Sequence, residues 1–140
     1  DSSGPNSLGG TYTGSPTACA AALAVFDVIK EEDILGRSQR LGEKLRTRFD
    51  QWQEQFTHVD NARNLGPMAA FELVESKDNH KPMPELAGAI TKKAKEKGLI
   101  LLSCGMHGNT LRFLMPVTIE DEVLEEGLNI VEECLKEVGA

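Results

Sequence analysis

The chain has little of what several large classes of protein require. Its 140 residues include only three cysteines, an odd number at wide spacing: Cys19, Cys104 and Cys134. A disulfide framework or a zinc site needs a different arrangement. We therefore expect the chain to bind no metal, and we expect its cysteines to remain free thiols in a reducing compartment. The apolar runs are far shorter than the roughly 20 residues of a membrane-spanning helix, and no signal peptide is visible. These absences predict a cytoplasmic protein without a membrane partner.

Positive charge is also in deficit. The chain carries 22 acidic and 15 basic residues, for a net charge of −7. Proteins that bind nucleic acid need a basic face, so we expect no nucleic-acid partner. The hydrophobic content of 40% and the charged content of 26% are ordinary for a globular protein.

One stretch near the start combines glycines, hydroxyl groups and a helix signal: Gly9-Gly10-Thr11-Tyr12-Thr13-Gly14-Ser15-Pro16. The glycines permit tight turns and a close approach of the backbone to a ligand. Ser15 is predicted as an N-cap and Pro16 as the first helical residue. The unpaired N–H groups and the dipole of a helix N-terminus favour a phosphate. A solvated turn ahead of a helix is the alternative, and the octapeptide alone leaves both open.

Periodicity and turn residues predict the remaining elements. An Ala-rich helix begins at Pro16 and is interrupted at Gly36, and apolar residues then recur at helical spacing from Leu41 to Phe56. The elements expected after that are a turn-rich link over 58–67, a strand over 68–74, a loop over 75–84, a helix over 85–97, strands over 99–102 and 110–114, and a final helix capped by Thr118. The sum is an α+β fold with a small, mostly antiparallel sheet packed with helices.

Arg112 is the most informative residue of the predicted sheet. It lies between Leu111 and Phe113, and an arginine in that setting is commonly exposed or paired with a carboxylate. It is also suited to hold a substrate carboxylate through two parallel hydrogen bonds, which lysine does less well. From the residues alone, both interpretations stay open.

Several motifs, in order, resemble class III pyridoxal-phosphate aminotransferases. They are the Gly9–Pro16 stretch with its Ala-rich helix, Arg63-Asn64-Leu65-Gly66-Pro67-Met68, Gly98-Leu99-Ile100-Leu101-Leu102-Ser103-Cys104-Gly105, and Asn109 to Asp121. The last two are most similar to the bacterial 4-aminobutyrate aminotransferases. One departure is Asn64, where the family usually has glycine, although it touches no residue with an assigned role.

The resemblance implies the C-terminal part of a fold-type I, pyridoxal-phosphate-dependent transferase. Residues 1–15 would form a cofactor-phosphate loop belonging to the large domain, 16–57 the connecting long helices, and 58–140 the small C-terminal α+β domain. Thr11 would donate its hydroxyl to the phosphate of pyridoxal 5'-phosphate, across a dimer interface, while Gly10 and Tyr12 shape the loop. Arg112 would bind the carboxylate of the amino-acid or 2-oxo-acid substrate.

The resemblance also implies what the chain lacks. In the family the Schiff-base lysine precedes the phosphate-binding threonine, and no lysine here lies in a matching motif, so no residue is assigned as catalytic. We therefore expect an aminotransferase fragment, from a parent acting on 4-aminobutyrate and 2-oxoglutarate, that is inactive alone and associates as a homo-oligomer. The alternatives are a parent specific for ornithine or 5-aminovalerate, or a non-catalytic module for phosphate binding or dimerisation.

Overall fold

The computed structural model describes Gly4 and residues 9–140. The rest of the predicted 1–15 loop, residues 1–3 and 5–8, lies outside the described residues. Contacts divide the chain into two compact units, Asp1–Leu35 and Gly36–Ala140. The predicted division into 1–15, 16–57 and 58–140 stays a prediction.

The first unit is built on helix α1, Pro16–Glu31. Its start confirms the sequence prediction, because Ser15 is the N-cap and Pro16 the first helical residue. The predicted interruption at Gly36 is wrong. Asp33 adopts a left-handed backbone with φ 47°, which ends the helix earlier, and Gly36 lies inside the next helix, α2, Ile34–Gln55.

The second unit carries a four-stranded antiparallel sheet. Its strands are β1 (Val59–Leu65), β2 (Met68–Leu73), β3 (Leu102–Cys104) and β4 (Thr110–Phe113), in the order β1-β2-β4-β3. Helix α3, Pro84–Glu96, precedes β3, and helix α4, Asp121–Val138, follows β4. The α+β class and the small antiparallel sheet are therefore confirmed.

Three boundaries differ from the sequence predictions. The predicted turn-rich link over 58–67 contains strand β1, whose alternating burial is that of an edge strand with one solvated face. The predicted strand over 99–102 is displaced to β3, because the backbone pairing with β4 begins only at Leu102. The last helix is capped by Glu120, not by Thr118.

The core of the second unit lies on one face of the sheet. Phe49 and Trp52 of α2 stack with ring centroids 5.3 Å apart, and Phe49 meets Phe71 of β2 and Phe113 of β4 edge-on. Buried residues of α3 and α4 join the same cluster. Because side chains alternate along a strand, Ala70, Glu72 and Arg112 point to the opposite face.

Candidate functional site

The Gly-rich stretch forms two consecutive tight turns. The Thr13 N–H donates to the Gly10 carbonyl and the Ser15 N–H to the Tyr12 carbonyl, each at 3.1 Å. A Cβ at Gly10 would lie 2.7 Å from Thr13 Oγ1, so a larger residue there would displace the Thr13 side chain, and Gly14 has a left-handed φ of +79° that favours glycine. The two turns therefore use two of the backbone donors that the sequence pattern left for an anion.

Other hydrogen-bond donors of this segment have no acceptor among the described residues. Within residues 9–140, the N–H groups of Thr11 and Tyr12 donate no hydrogen bond, and both residues are exposed. Ser15 makes no side-chain hydrogen bond to the first turn of α1, so that turn keeps its unpaired N–H groups. A hydroxyl, backbone N–H groups and a helix N-terminus form a donor set that fits a phosphate.

Arg112 lies at the centre of the sheet's open face. Its cross-strand neighbours are Ala70 on β2 and Leu102 on β3, neither of which carries charge. The side chain is exposed, and it forms no ion pair or hydrogen bond with any residue that the structure describes. Its guanidinium is therefore available to bind an anion from outside the described chain.

The Glu72 carboxylate of β2 pairs with residues of β1 and not with Arg112. Glu72 pairs with Arg63 at 2.9 Å between Oε1 and Nη2, and it accepts a hydrogen bond from Asn61 Nδ2 at 3.1 Å. A strand glutamate such as Glu72 is expected to face water or to pair with an arginine, but Arg63 could not be identified as that arginine from the sequence, because it lies in the predicted turn-rich link. Recognition of β1 as a strand would have found it, since Arg63 and Glu72 then lie diagonally on one sheet face.

Arg112 also lines a cavity of about 420 Å³ in the second unit. Its other walls come from residues 99–104, from the end of β4 and the residues after it, and from α4, and they are mostly apolar. This cavity could not be predicted from the sequence, because its walls are separated along the chain.

The predicted site residues thus fall into two groups. Gly10, Thr11 and Tyr12 share one turn in the first unit, and Arg112 lies on the sheet of the second. Each group presents hydrogen-bond donors that have no partner among the described residues and that suit a negatively charged oxygen.

The other titratable groups of the described residues form no comparable site. Among the described residues, no three His, Cys, Asp or Glu side chains are grouped as a metal site would require. Cys134 is buried, and burial raises the pKa of its thiol. None of the helices within residues 9–140 is long and apolar enough to span a bilayer.

Comparison with known proteins identifies the family. The model of the class III aminotransferases matches residues 2–135, and the chain belongs to this family. The 5-aminovalerate aminotransferase DavT of Pseudomonas aeruginosa is 53% identical over 139 residues, covering 99% of the chain and 33% of that protein. The 4-aminobutyrate aminotransferase GabT of Escherichia coli is 44% identical over 137 residues, covering 98% of the chain and 32% of that protein. The chain therefore spans about a third of the length of these relatives.

Solved structures agree on the fold. A transaminase from the marine bacterium Virgibacillus superposes with a TM-score of 0.83 at 27% identity, over 99% of this chain and 32% of that one. A Bacillus anthracis aminotransferase gives 0.82 at 26% identity, over 91% of this chain and 29% of that one. The fold is that of the corresponding third of a transaminase.

Proposed function

We propose that the chain is the C-terminal part of a pyridoxal-phosphate-dependent aminotransferase that moves the amino group of 4-aminobutyrate to 2-oxoglutarate. The observation that carries the proposal is the identity to 4-aminobutyrate and 5-aminovalerate aminotransferases over nearly the whole chain. A second candidate substrate is 5-aminovalerate, which the higher identity to DavT favours, 53% against 44%. The two amino acids differ by one methylene, so one carboxylate anchor suits both.

The turn at Gly10–Tyr12 would hold the phosphate of the cofactor. Thr11 would donate its hydroxyl, and the open N–H groups of Thr11 and Tyr12 would add backbone donors. When bound, pyridoxal phosphate supplies an electron sink for carbanion chemistry. In the family-based proposal Thr11 serves the neighbouring subunit, so the working protein is a homo-oligomer.

Arg112 would bind the substrate carboxylate. Two parallel N–H donors of a guanidinium match the two oxygens of a carboxylate, and no described acid competes for this one. The charge of the carboxylate would orient the substrate, so that its reacting end points away from the anchor. We assign no proton-transfer role to any residue of this chain.

A chimeric enzyme tests the proposal. The segment of E. coli GabT that matches this chain is replaced by the chain, and a second chimera uses DavT of P. aeruginosa as host. We expect both to transaminate ω-amino acids, and the ratio of kcat/KM for 4-aminobutyrate and 5-aminovalerate identifies the preferred donor. The isolated chain should show no turnover. Folded chimeras without activity would contradict the proposal.

Single substitutions in the active chimera test the two anchors. Thr11→Ala should weaken cofactor binding, whereas Thr11→Ser keeps the hydroxyl and should restore most of it. Arg112→Gln removes a charge-assisted hydrogen-bonded pair worth about 1.5–3 kcal/mol, so we expect the KM of the carboxylate substrate to rise roughly 10- to 150-fold. An unchanged KM would remove Arg112 from the proposed site.

A further inference from the structure

A buried polar side chain lies next to the strand that carries Arg112. Asn109 immediately precedes β4 and is only 4% exposed. Because side chains alternate along an extended chain, Asn109 shares a sheet face with Leu111 and Phe113, which belong to the apolar core. A polar group is costly to bury unless it is hydrogen-bonded, so the partner of this amide indicates what the side chain does.

The Asn109 amide is bound to the end of β2. The register of β2 and β4 places Asn109 opposite Leu73, where two backbones of a regular antiparallel ladder exchange both hydrogen bonds. The Leu73 N–H donates to the Asn109 carbonyl at 2.8 Å. The Leu73 carbonyl, in turn, accepts from Asn109 Nδ2 at 2.9 Å and from the Met83 N–H at 3.0 Å. A side chain therefore makes the last bond between β2 and β4, on a carbonyl that also binds the N-cap residue of α3.

Strand β4 has few backbone hydrogen bonds to fix its register. It has four residues, and its neighbour β3 has three. The turn between them contains Gly105 and Gly108, with φ of +85° and +67°, and glycine is conformationally permissive. A shift of two residues lets the ladder re-form with every side chain on its original face. The bond from Asn109 to Leu73, by contrast, exists in one register only.

We propose that Asn109 is a positioning residue for Arg112, and that its side-chain amide fixes β4 against β2 in the register that places Arg112 between Ala70 and Leu102. The inference rests on the carboxylate-binding role proposed for Arg112. Without the amide bond, the backbone that carries the guanidinium is free to shift along β2. The substrate carboxylate is then held less tightly, although Arg112 itself is unchanged.

The kinetics of the active chimera test this role through Arg112. Asn109→Leu keeps nearly the same shape and removes the donor. One hydrogen bond corresponds to a roughly two- to tenfold change in an equilibrium constant, so the KM of the carboxylate substrate should rise by about that factor while kcat is unchanged. In the Arg112→Gln background the same substitution should leave the KM unchanged. Equal factors in the two backgrounds would overturn the proposal, because Asn109 would then not act through Arg112.

Asn64→Leu is the matched control. Asn64 of β1 also binds backbone carbonyls through its side-chain amide, those of Gly42 and Gly66, and β2 separates β1 from β4. The same substitution there should lower the melting temperature without raising the KM. If Asn64→Leu raises the KM as much as Asn109→Leu, the effect is general destabilisation and the positioning role is refuted.

Amide hydrogen exchange in the 140-residue chain, followed by NMR, tests the bond without activity. Asn109→Leu should speed exchange of the β4 amides roughly two- to tenfold relative to those of α4, and Asn64→Leu should not. Inactive chimeras would contradict the proposed function and leave this exchange measurable. Unchanged exchange in β4, or an active chimera whose KM is unaffected by Asn109→Leu, would refute the positioning role alone.

Discussion

Two helical glycines of the second unit should respond in opposite ways to the same substitution. Gly42 of α2 is buried against the β1–β2 turn, and a Cβ there would lie 2.7 Å from the carbonyl carbon and oxygen of Gly66. Those are backbone atoms, and ordinary van der Waals contact begins only at 3.4 Å. Gly88 of α3 is exposed, with nothing within 4 Å of its Cβ position.

The magnitudes follow from these contacts. Alanine is favoured over glycine in a helix interior by about 0.8–1 kcal/mol, so Gly88→Ala should raise the free energy of unfolding by that amount. Gly42→Ala has the same gain but must push α2 away from the turn, at a cost of about 1–3 kcal/mol. The shift also strains the Asn64 side-chain amide, which bridges the carbonyls of Gly42 and Gly66 at 3.1 and 3.0 Å, worth about 1 kcal/mol per bond. The net expectation is a loss of about 1–3 kcal/mol for Gly42→Ala.

Urea denaturation measures both variants with one probe. Trp52 is the single tryptophan and is buried in the core of the same unit, so its fluorescence reports unfolding there. In thermal unfolding followed by the same fluorescence, each kcal/mol of change in the free energy of unfolding should move the midpoint by about 4 °C in a unit of this size. A Gly42→Ala variant as stable as Gly88→Ala would refute the tight backbone approach between α2 and the hairpin.

Two further predictions concern ionisation and thiol chemistry. Hydrogen bonds, first from Lys136 and then from Trp52, lower the pKa of Glu132 below its ordinary 4.5. The ionised Glu132 therefore stabilises the fold above pH 4.5, and this stabilisation is lost as the pH falls through the lower pKa of the folded state. In Glu132→Gln the urea concentration at the unfolding midpoint should consequently fall less between pH 6 and pH 3 than in the parent chain. Equal acid sensitivity of variant and parent would contradict it. Cys19 is exposed, whereas Cys134 is buried with a raised pKa, so a thiol reagent followed by mass spectrometry should modify Cys19 on the order of a thousandfold faster; comparable rates would place Cys134 at the surface.

Helical and strand patterns in the sequence predicted most of the fold. The helix over 85–97 and the strands over 68–74 and 110–114 are confirmed within one or two residues because their apolar positions face one core. Strand β1 was missed because Asp60, Asn61 and Asn64 are typical turn residues. The structure satisfies each of them separately: Asn61 is exposed and takes a left-handed φ of 49° at an irregularity in the ladder, Asp60 pairs with His80, and the Asn64 amide donates to the carbonyls of Gly42 and Gly66.

The candidate site was predicted in part. Residue chemistry pointed to Thr11 and Arg112, and the structure leaves both exposed, although their roles stay predictions. The cavity could not be predicted, because residues 99–104 and α4 come together only through the pairing of β3 with β4 and the core packing. The position of β3 also decides that Leu102 is the neighbour of Arg112.

Within residues 9–140 Arg112 has no acidic partner; the sheet register explains this and yields a final prediction. Arg63 and Arg112 flank Ala70 from opposite sides, and Glu72 lies diagonal to both. Arg63 and Asn61 hold the Glu72 carboxylate on the β1 side.

Arg63→Gln removes the charged partner of Glu72, so that its carboxylate can turn to Arg112 and compete with an added carboxylate. Exposed ion pairs are worth up to about 1 kcal/mol, so in the active chimera the KM of the carboxylate substrate should rise about two- to fivefold. The double variant Arg63→Gln with Glu72→Gln removes the competitor and should restore the KM. If the single variant keeps the KM of the parent chimera, Arg63 has no part in keeping Arg112 open, and the spacing of the strands alone keeps Glu72 from reaching it.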